Sequence, residues 1–420
     1  MKKSRSAEGL PPRLLATVWL PFALSYSLSQ FFRSVNAVLS PDLVRELGLN
    51  PSELGMLTSA YMLTFAAVQL PFGLLLDSHG PRRVNAGLLL VAAAGSAMFG
   101  YGHGLATLTF ARALIGLGVA LCLMASMKAY LQWFSPSVIA TLNGWTMAAG
   151  GLGALAATAP VEAALHFIDW RSMFYAMSVL TCAFAALLFW TVPEKPGKPH
   201  ETWRESVAGL QVVARDPLFW KMGILSAMMS GTSLAMLGLW IAPWLRDVAG
   251  LARHEVGLML AWMAAALTAG FATMGTLSDW LGRRGVESMT IYLSGLGVAI
   301  CMLLLITLGV SVAVPLVIGL YSFAGASGQL VYVMLSRRFP HELAGRVSTA
   351  NNMLSFTGAF IVQWGIGAVI NLWPVNGEHY AFEGYRTAFG GMVVLQVIAF
   401  IVVALSRKNA STLGLRGEDV

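Results

Sequence analysis

Charge is scarce in this chain. Of its 420 residues only 11% are Asp, Glu, Lys or Arg, whereas soluble domains carry about 25%. With 57% hydrophobic residues and a mean hydropathy of +0.68, a soluble globular domain and a disordered chain are both excluded. Cysteine is nearly absent: Cys122, Cys182 and Cys301 lie far apart within apolar stretches, with no Cys or His at metal-ligand spacing. That excludes a disulfide scaffold and implies no metal, so the three read as small packing residues. The sequence has no Gly-x-x-x-x-Gly-Lys-[Ser/Thr] element and no Ser/His/Asp set, so neither an ATP-driven pump nor an enzyme is expected, and no cofactor is implied. A net charge of +7 would suit nucleic acid, but Lys and Arg gather in the joints between apolar runs, where membrane topology requires them.

What is present is a series of apolar runs, each near the roughly 20 residues that a helix needs to cross a hydrocarbon core. Twelve can be read, at about 14–40, 54–76, 84–103, 106–131, 141–165, 172–192, 219–244, 256–278, 288–308, 312–335, 347–372 and 387–405. The expected fold is therefore an all-α polytopic membrane protein. A basic tail, 1–13, precedes a first run too long for a signal-peptide core. A Pro- and Lys-rich linker, 193–218, with an amphipathic segment around Arg204 to Val213, divides the runs six and six. The divisions are thus a cytoplasmic tail 1–13, bundles at 14–192 and 219–405 flanking that linker, and a second tail at 406–420. With both termini cytoplasmic, nineteen of the 27 Lys and Arg residues fall inside, five outside and three within runs, a clear positive-inside bias.

The halves repeat one another. Gly73-x-x-x-Asp77-x-x-Gly80-x-Arg82-Arg83 follows the second run, and Gly275-x-x-x-Asp279-x-x-Gly282-Arg283-Arg284 follows the eighth. Arg112-x-x-x-Gly116-x-Gly118 lies on the fourth run, Trp170-Arg171-x-x-Phe174 enters the sixth, and Tyr385-Arg386-x-x-Phe389 precedes the twelfth. This combination resembles the major facilitator superfamily of secondary transporters over essentially the whole chain. Twelve transmembrane helices in two pseudo-symmetric six-helix bundles are what the resemblance implies. After the fourth run the family's Arg-Gly element is replaced by Ala140-Thr141, while Gly345-Arg346 keeps it in the second half. The glycine signature of exporters on the fifth run is partial, as Gly150, Gly151, Gly153 and Pro160.

Gly73 and Asp77 share one helix face, so the carboxylate stands at the cytoplasmic edge, where it can cap a neighbouring helix and pair with Arg83 in one global state. The resemblance implies a latch favouring the outward-open state, with Asp279 and Arg283 as its symmetry mates. Three cations remain inside runs: Arg33, Arg112 and Lys128. No acidic residue lies mid-run, Glu162 coming nearest. Arg33 belongs to a polar face with Tyr26, Gln30 and Asn36, and such a face must look into a cavity or bundle. Because the first, fourth, seventh and tenth helices line the central cavity in the family it resembles, this face is expected to touch solute. Arg112 and Lys128 are about 160° apart around one helix, so both cannot face the cavity; the resemblance gives Arg112 a coupling role and leaves Lys128 as a solute contact or a headgroup anchor. Neutral candidates in the second half are Ser230, Trp240, Gln329, Tyr332, Asn352 and Ser355, with Asn351 and Gln363 on the same polar stripe of the eleventh run.

The expected activity is secondary transport of a small organic anion by alternating access, because the candidate cavity holds cations and no carboxylate. Coupling is expected to be to protons or by anion exchange. A drug or metabolite exporter is the alternative that the fifth-run glycines favour. A non-transporting receptor with the same fold is the alternative of another class, opposed by loop signatures in both halves. A monomer in a bacterial inner membrane, with no nucleic-acid partner, completes the expectation. Single cysteines at Gly197 and Asn376 should be labelled from opposite sides of the membrane; labelling from one side would remove this architecture.

Overall fold

The computed structural model describes residues 11–193, 203–310, 312–340, 343–376 and 379–412. The chain is almost wholly helical. The first half contains α1 (Pro12–Ser34), α2 (Asn36–Leu47), α3 (Pro51–Ala67), α4 (Gln69–His79), α5 (Pro81–Tyr101), α6 (Leu105–Trp133), α7 (Pro136–Ala156), α8 (Ala159–Ala164) and α9 (Trp170–Thr191). The amphipathic segment forms α10 (Trp203–Ala214). The second half contains α11 (Pro217–Asp247), α12 (Arg253–Gly282), α13 (Ser288–Thr307), α14 (Val314–Arg338), α15 (Ala344–Ile370) and α16 (Phe382–Thr412), with a two-stranded hairpin, β1 (Val375–Asn376) and β2 (His379–Tyr380), before α16. Among the described residues ten helices are long and apolar enough to cross a membrane. The expected runs at 54–76 and 141–165 each appear as two helices, α3 with α4 and α7 with α8.

Proline explains where the helices bend. A proline ring removes the N–H that would bond the carbonyl four residues earlier. Pro71 does this to Ala67, where α3 ends, and Pro160 does it to Ala156, where α7 ends. Pro21 and Pro243 act on Thr17 and Leu239, each inside a five-residue π turn, Leu15–Trp19 and Met236–Trp240. The hydrophobic runs conceal these breaks because apolar character is continuous across them. Termini are capped in the ordinary way: Asn50 and Glu53 form a reciprocal box on α3, and Asp216 accepts the N–H groups of Leu218 and Phe219 at the start of α11. Asp169 caps α9; the Ser172 side chain and backbone N–H donate to it and hold its carboxyl below the usual range. Gly80, at φ +81°, supplies the left-handed turn between α4 and α5.

Within the first half α5 packs on α6 and α9, α3 on α6, and α1 on α7; within the second, α11 packs on α15 and α16, and α14 on α12 and α13. Small residues let these backbones approach. A Cβ on Gly116 would collide with the backbone of Tyr61 in α3, and one on Gly118 with Ala92 and Leu88 in α5. The glycines of the fourth-run motif are therefore packing positions.

The halves meet along α3 with α15, α7 and α8 with α12, and α2 with α11. Gly151 of α7 sits against Thr268 of α12, and Gly257 of α12 lies beside Ala159 and Glu162. Two turns along the same helix faces, Gly144 and Gly275 have nothing within 4 Å of an added Cβ. The interface is thus closed at the end carrying α2, α8 and the start of α12, and α7 and α12 separate toward the end carrying the repeated loop signatures.

Replacing Gly118 with Val should destabilise the protein by about 1–3 kcal/mol through overpacking against α5, whereas Gly87→Val, with open space around it, should leave the melting temperature in detergent unchanged. Equal melting temperatures would contradict the packing assigned to this motif.

Candidate functional site

Where the C-terminal end of α3 meets α15, Phe65 and Phe356 stack with ring centroids 4.0 Å apart, one ring from each half. The Arg33 guanidinium of α1 lies over both, 5.2 Å from the Phe65 centroid and 4.9 Å from that of Phe356. Among the described residues it has no carboxylate partner, and its Nε is buried without a hydrogen bond. Cation–π contact offsets part of the desolvation of this charge and leaves its hydrogen-bonding edge unused. Tyr332 of α14 lies within electrostatic reach of Arg33, and its hydroxyl donates to Asn352 Oδ1 on α15 at 3.3 Å. Ser355 lies beside Tyr332. On α1, Gln30 donates to the Tyr26 hydroxyl at 2.6 Å, and Tyr26 fills the space left by Gly150 of α7. Arg33, Tyr332, Asn352 and Ser355 are therefore brought together, with Tyr26 and Gln30 paired along α1 and Asn36 one turn beyond Arg33.

Other expected residues have different surroundings. Arg112 is fully buried inside the first half, donating to the Phe32 carbonyl at 2.9 Å with its guanidinium over Tyr61. It ties α6 to α1 and α3. Lys128 donates to the Leu76 carbonyl at 2.9 Å, beside the end of α4 and not beside Arg33. Trp240 is fully buried, with Nε1 donating to the Gln363 carbonyl at 2.8 Å, and it packs against Gly55 and Gly367 in the seam between halves. Ser230 faces Gly328 of α14, and Gln329 is exposed.

At the loop signatures, Gly73 lies 4.0 Å from the Met124 side chain for an added Cβ, while the Asp77 side chain lies outside the described residues. Arg82 stacks on Phe189. In the second half the turn glycine is Gly285 and not Gly282, because α12 runs on through Gly282. Asp279 and Arg283 are both exposed and form no ion pair with each other.

The closed end holds a feature that sequence reasoning missed. Arg253, at the start of α12, donates to Asp42 of α2 at 2.6 Å and to Glu162 of α8, 2.8 Å away. Its two partners are 12% and 7% exposed, so one guanidinium from the second half bridges two nearly buried carboxylates from the first. Arg45 also reaches Asp42, and Glu46 joins Arg171 and the Trp170 indole nearby. A basin of about 600 Å³ lies over this network, remote from Arg33. In the sequence Arg253 is one more loop cation, and only its distant partners distinguish it. Phe65 and Phe356 carried no signal either, being apolar residues in apolar helices.

The sequence pattern of the Major Facilitator Superfamily matches residues 22–363. The chain belongs to this superfamily. Its relatives include a probable L-galactonate transporter of Escherichia coli, 27% identical over 290 residues that cover 65% of this chain and 64% of the relative. Another is a probable sulfoacetate transporter of Cupriavidus necator, 22% identical, covering 62% of this chain and 64% of the relative. Both alignments thus span just under two thirds of the relative's length. A solved bacterial homologue of the human lysosomal transporter Spinster, described as inward-facing and unoccupied, superposes with a TM-score of 0.74 over 95% of this chain and 97% of its own, at 17% identity. That likeness is one of fold, and membership with these apolar helices makes this chain a multi-pass membrane protein.

Removing Arg253 from the network would leave two carboxylates without their shared cation. Arg253→Ala should raise the labelling rate of a cysteine at the buried Ser40 by about 10-fold for an impermeant reagent applied at that end, the pair's strength being reduced by the partial exposure of Arg253. An unchanged rate would mean that the network does not hold this end shut.

Proposed function

We propose that this superfamily member is a secondary active transporter moving a small organic anion by alternating access. Twelve crossings in two six-helix repeats, with both termini and the linker cytoplasmic, form the architecture of this reading; α3 with α4 and α7 with α8 then complete the second and fifth crossings. On this topology the closed end is the outer one, and the parted loop-signature end opens inward. The observation carrying the anionic assignment is Arg33, a guanidinium at the interface of the halves with aromatic faces beneath it and, among the described residues, no carboxylate partner. The compensating charge is best supplied by the solute itself. The relatives' names point the same way, since galactonate and sulfoacetate are both small organic acids.

Alternating access follows from where charge is placed. The Asp42–Arg253–Glu162 network must break for the outer end to open, and Asp77 with its mate Asp279 would form their latches only once the inner end shuts. The separated, exposed state of Asp279 and Arg283 accords with an open inner end. Coupling is to protons or by anion exchange. The carboxylates nearest the route are those of the outer network.

Arg33→Gln keeps hydrogen-bonding capacity but removes charge, and should weaken anion binding by on the order of 10-fold to 1000-fold. Lys should restore only part, because it lacks the bidentate fork. Thermal stabilisation by L-galactonate, sulfoacetate and neutral sugars, compared between wild type and variant, reads this directly. Normal binding of an identified anion by Arg33→Gln would remove the assignment. Asp77→Asn should slow transport while leaving solute affinity within a few-fold, since the residue biases a conformational equilibrium; loss of binding with an unchanged resting conformation would oppose the latch.

A further inference from the structure

Arg33 is held between the halves by contacts that respond differently when the halves move. Its carbonyl lies 3.6 Å from where a Cβ on Gly238 would stand, inside the π turn of α11, so the backbone of α1 packs against the second half at this residue. Its guanidinium covers one ring of its own half, Phe65, and one of the other, Phe356. The rings stack at 4.0 Å with an interplanar angle of 22°. They belong to the seam between α3 and α15, which about three turns nearer the closed end brings Gly55 against the Gln363 carbonyl and Gly367 against that of Pro51. Parting α3 from α15 opens that seam. The Arg33–Phe65 contact lies within one half and survives the motion, whereas the Arg33–Phe356 contact and the ring stack cross the interface and are lost.

The strength of the contact that crosses the interface depends on whether the guanidinium carries its full charge. Cation–π attraction is electrostatic, between the cation and the negative face of the ring. Arg33 is half-buried, has no carboxylate partner among the described residues, and keeps a buried Nε without a hydrogen bond. The two rings are therefore the compensation that the protein itself supplies. An anion on the free edge of the guanidinium supplies compensation of its own and cancels much of the cation's field at the rings. Without solute the grip on Phe356 is strong, and with an anion bound it is weak. We propose that Phe356, with Phe65 holding the guanidinium in place, makes Arg33 a clamp that keeps the closed end shut until an anion binds, so that the protein exchanges anions in preference to carrying them one way. Net transport requires the solute-free protein to reorient, and the clamp slows that step alone. This rests on the anion reading above and decides between the two couplings left open there.

The test separates charge from shape. Purified full-length protein with a cysteine at the buried Ser40 reports opening of the closed end through its rate of labelling by an impermeant maleimide. In buffer free of organic anions, Phe356→Leu should raise that rate on the order of 10-fold. The same substitution in the Arg33→Gln background should raise it no more than about 2-fold, because the charge it answers is gone. Trifluorinated phenylalanine at position 356 keeps the ring's shape while removing its negative face, and it should reproduce the Leu effect. A purely structural ring would tolerate the fluorinated analogue, and its loss would add independently to that of Arg33; either result would overturn the clamp. L-Galactonate and sulfoacetate then serve as probes. Whichever stabilises the wild type should raise its labelling about 10-fold and have less effect on Phe356→Leu. In proteoliposomes loaded with that anion, efflux should be at least about 10-fold faster with the anion outside than without it, and Phe356→Leu should bring the two rates together. Equal wild-type rates would overturn the exchange assignment. Stabilisation by neither probe would count against the anion reading instead, and the measurements made without organic anions would still decide the clamp.

Discussion

A half-buried guanidinium needs compensation on its covered side, and the arrangement around Arg33 is organised by that requirement. Phe65 and Phe356 present their rings to it, one from each half, so the cation stands where the repeats touch. Aromatic faces attract a cation but offer no lone pair in the plane of the guanidinium, which leaves its donors available. The remaining internal cations are treated differently. Arg112 is spent on a backbone carbonyl and a tyrosine ring inside the first half, and Lys128 on a carbonyl at the end of a helix. One guanidinium thus keeps donors unused while the other cations fasten helices together.

Carboxylates follow the complementary rule. None lies in the middle of a span, and those of the closed end are gathered where Arg253 crosses from one half to the other. An ion network at an interface is strong while water is excluded and weak once it is hydrated. It therefore suits a contact that must form and break as a unit. Asp247 illustrates the static counterpart: it is buried at the far end of α11 and accepts from His379, the Tyr380 N–H and the Tyr385 hydroxyl, fixing the β1–β2 hairpin and the start of α16 to one half only. Its partners all belong to the same half, so it fastens elements within that half and does not cross the interface.

The path of the backbone provides the geometry for both. Four prolines interrupt helices at Thr17, Ala67, Ala156 and Leu239, and the resulting bends lie on helices that run along the interface between halves. Glycines at Gly55, Gly151, Gly238 and Gly367 let helices of opposite halves approach at the closed end. Close approach there and open space at Gly144 and Gly275 are two aspects of one tilt, which places the deepest polar residues beneath a sealed end.

Membrane residence, the helical class, the repeated loop signature and the polar face of α1 were all legible in the sequence, because they depend on local composition and on short motifs. Arg33 could be singled out for the same reason: a cation within an apolar run is costly wherever that run packs. The broken second and fifth runs were legible only in part, since hydropathy is blind to a missing N–H, although Pro71 and Pro160 marked the places. What tertiary structure alone decided is which polar groups meet. Phe65 with Phe356 and Arg253 with Asp42 and Glu162 join residues from opposite halves, Trp240 with Gln363 joins two helices of the second half, and nothing in their local sequence separates them from lipid-facing aromatics, loop charges or packing indoles. The same holds for Arg112 and Lys128, whose facing depends on the neighbours of α6: the sequence gives an angle around a helix, and only packing gives that angle a direction.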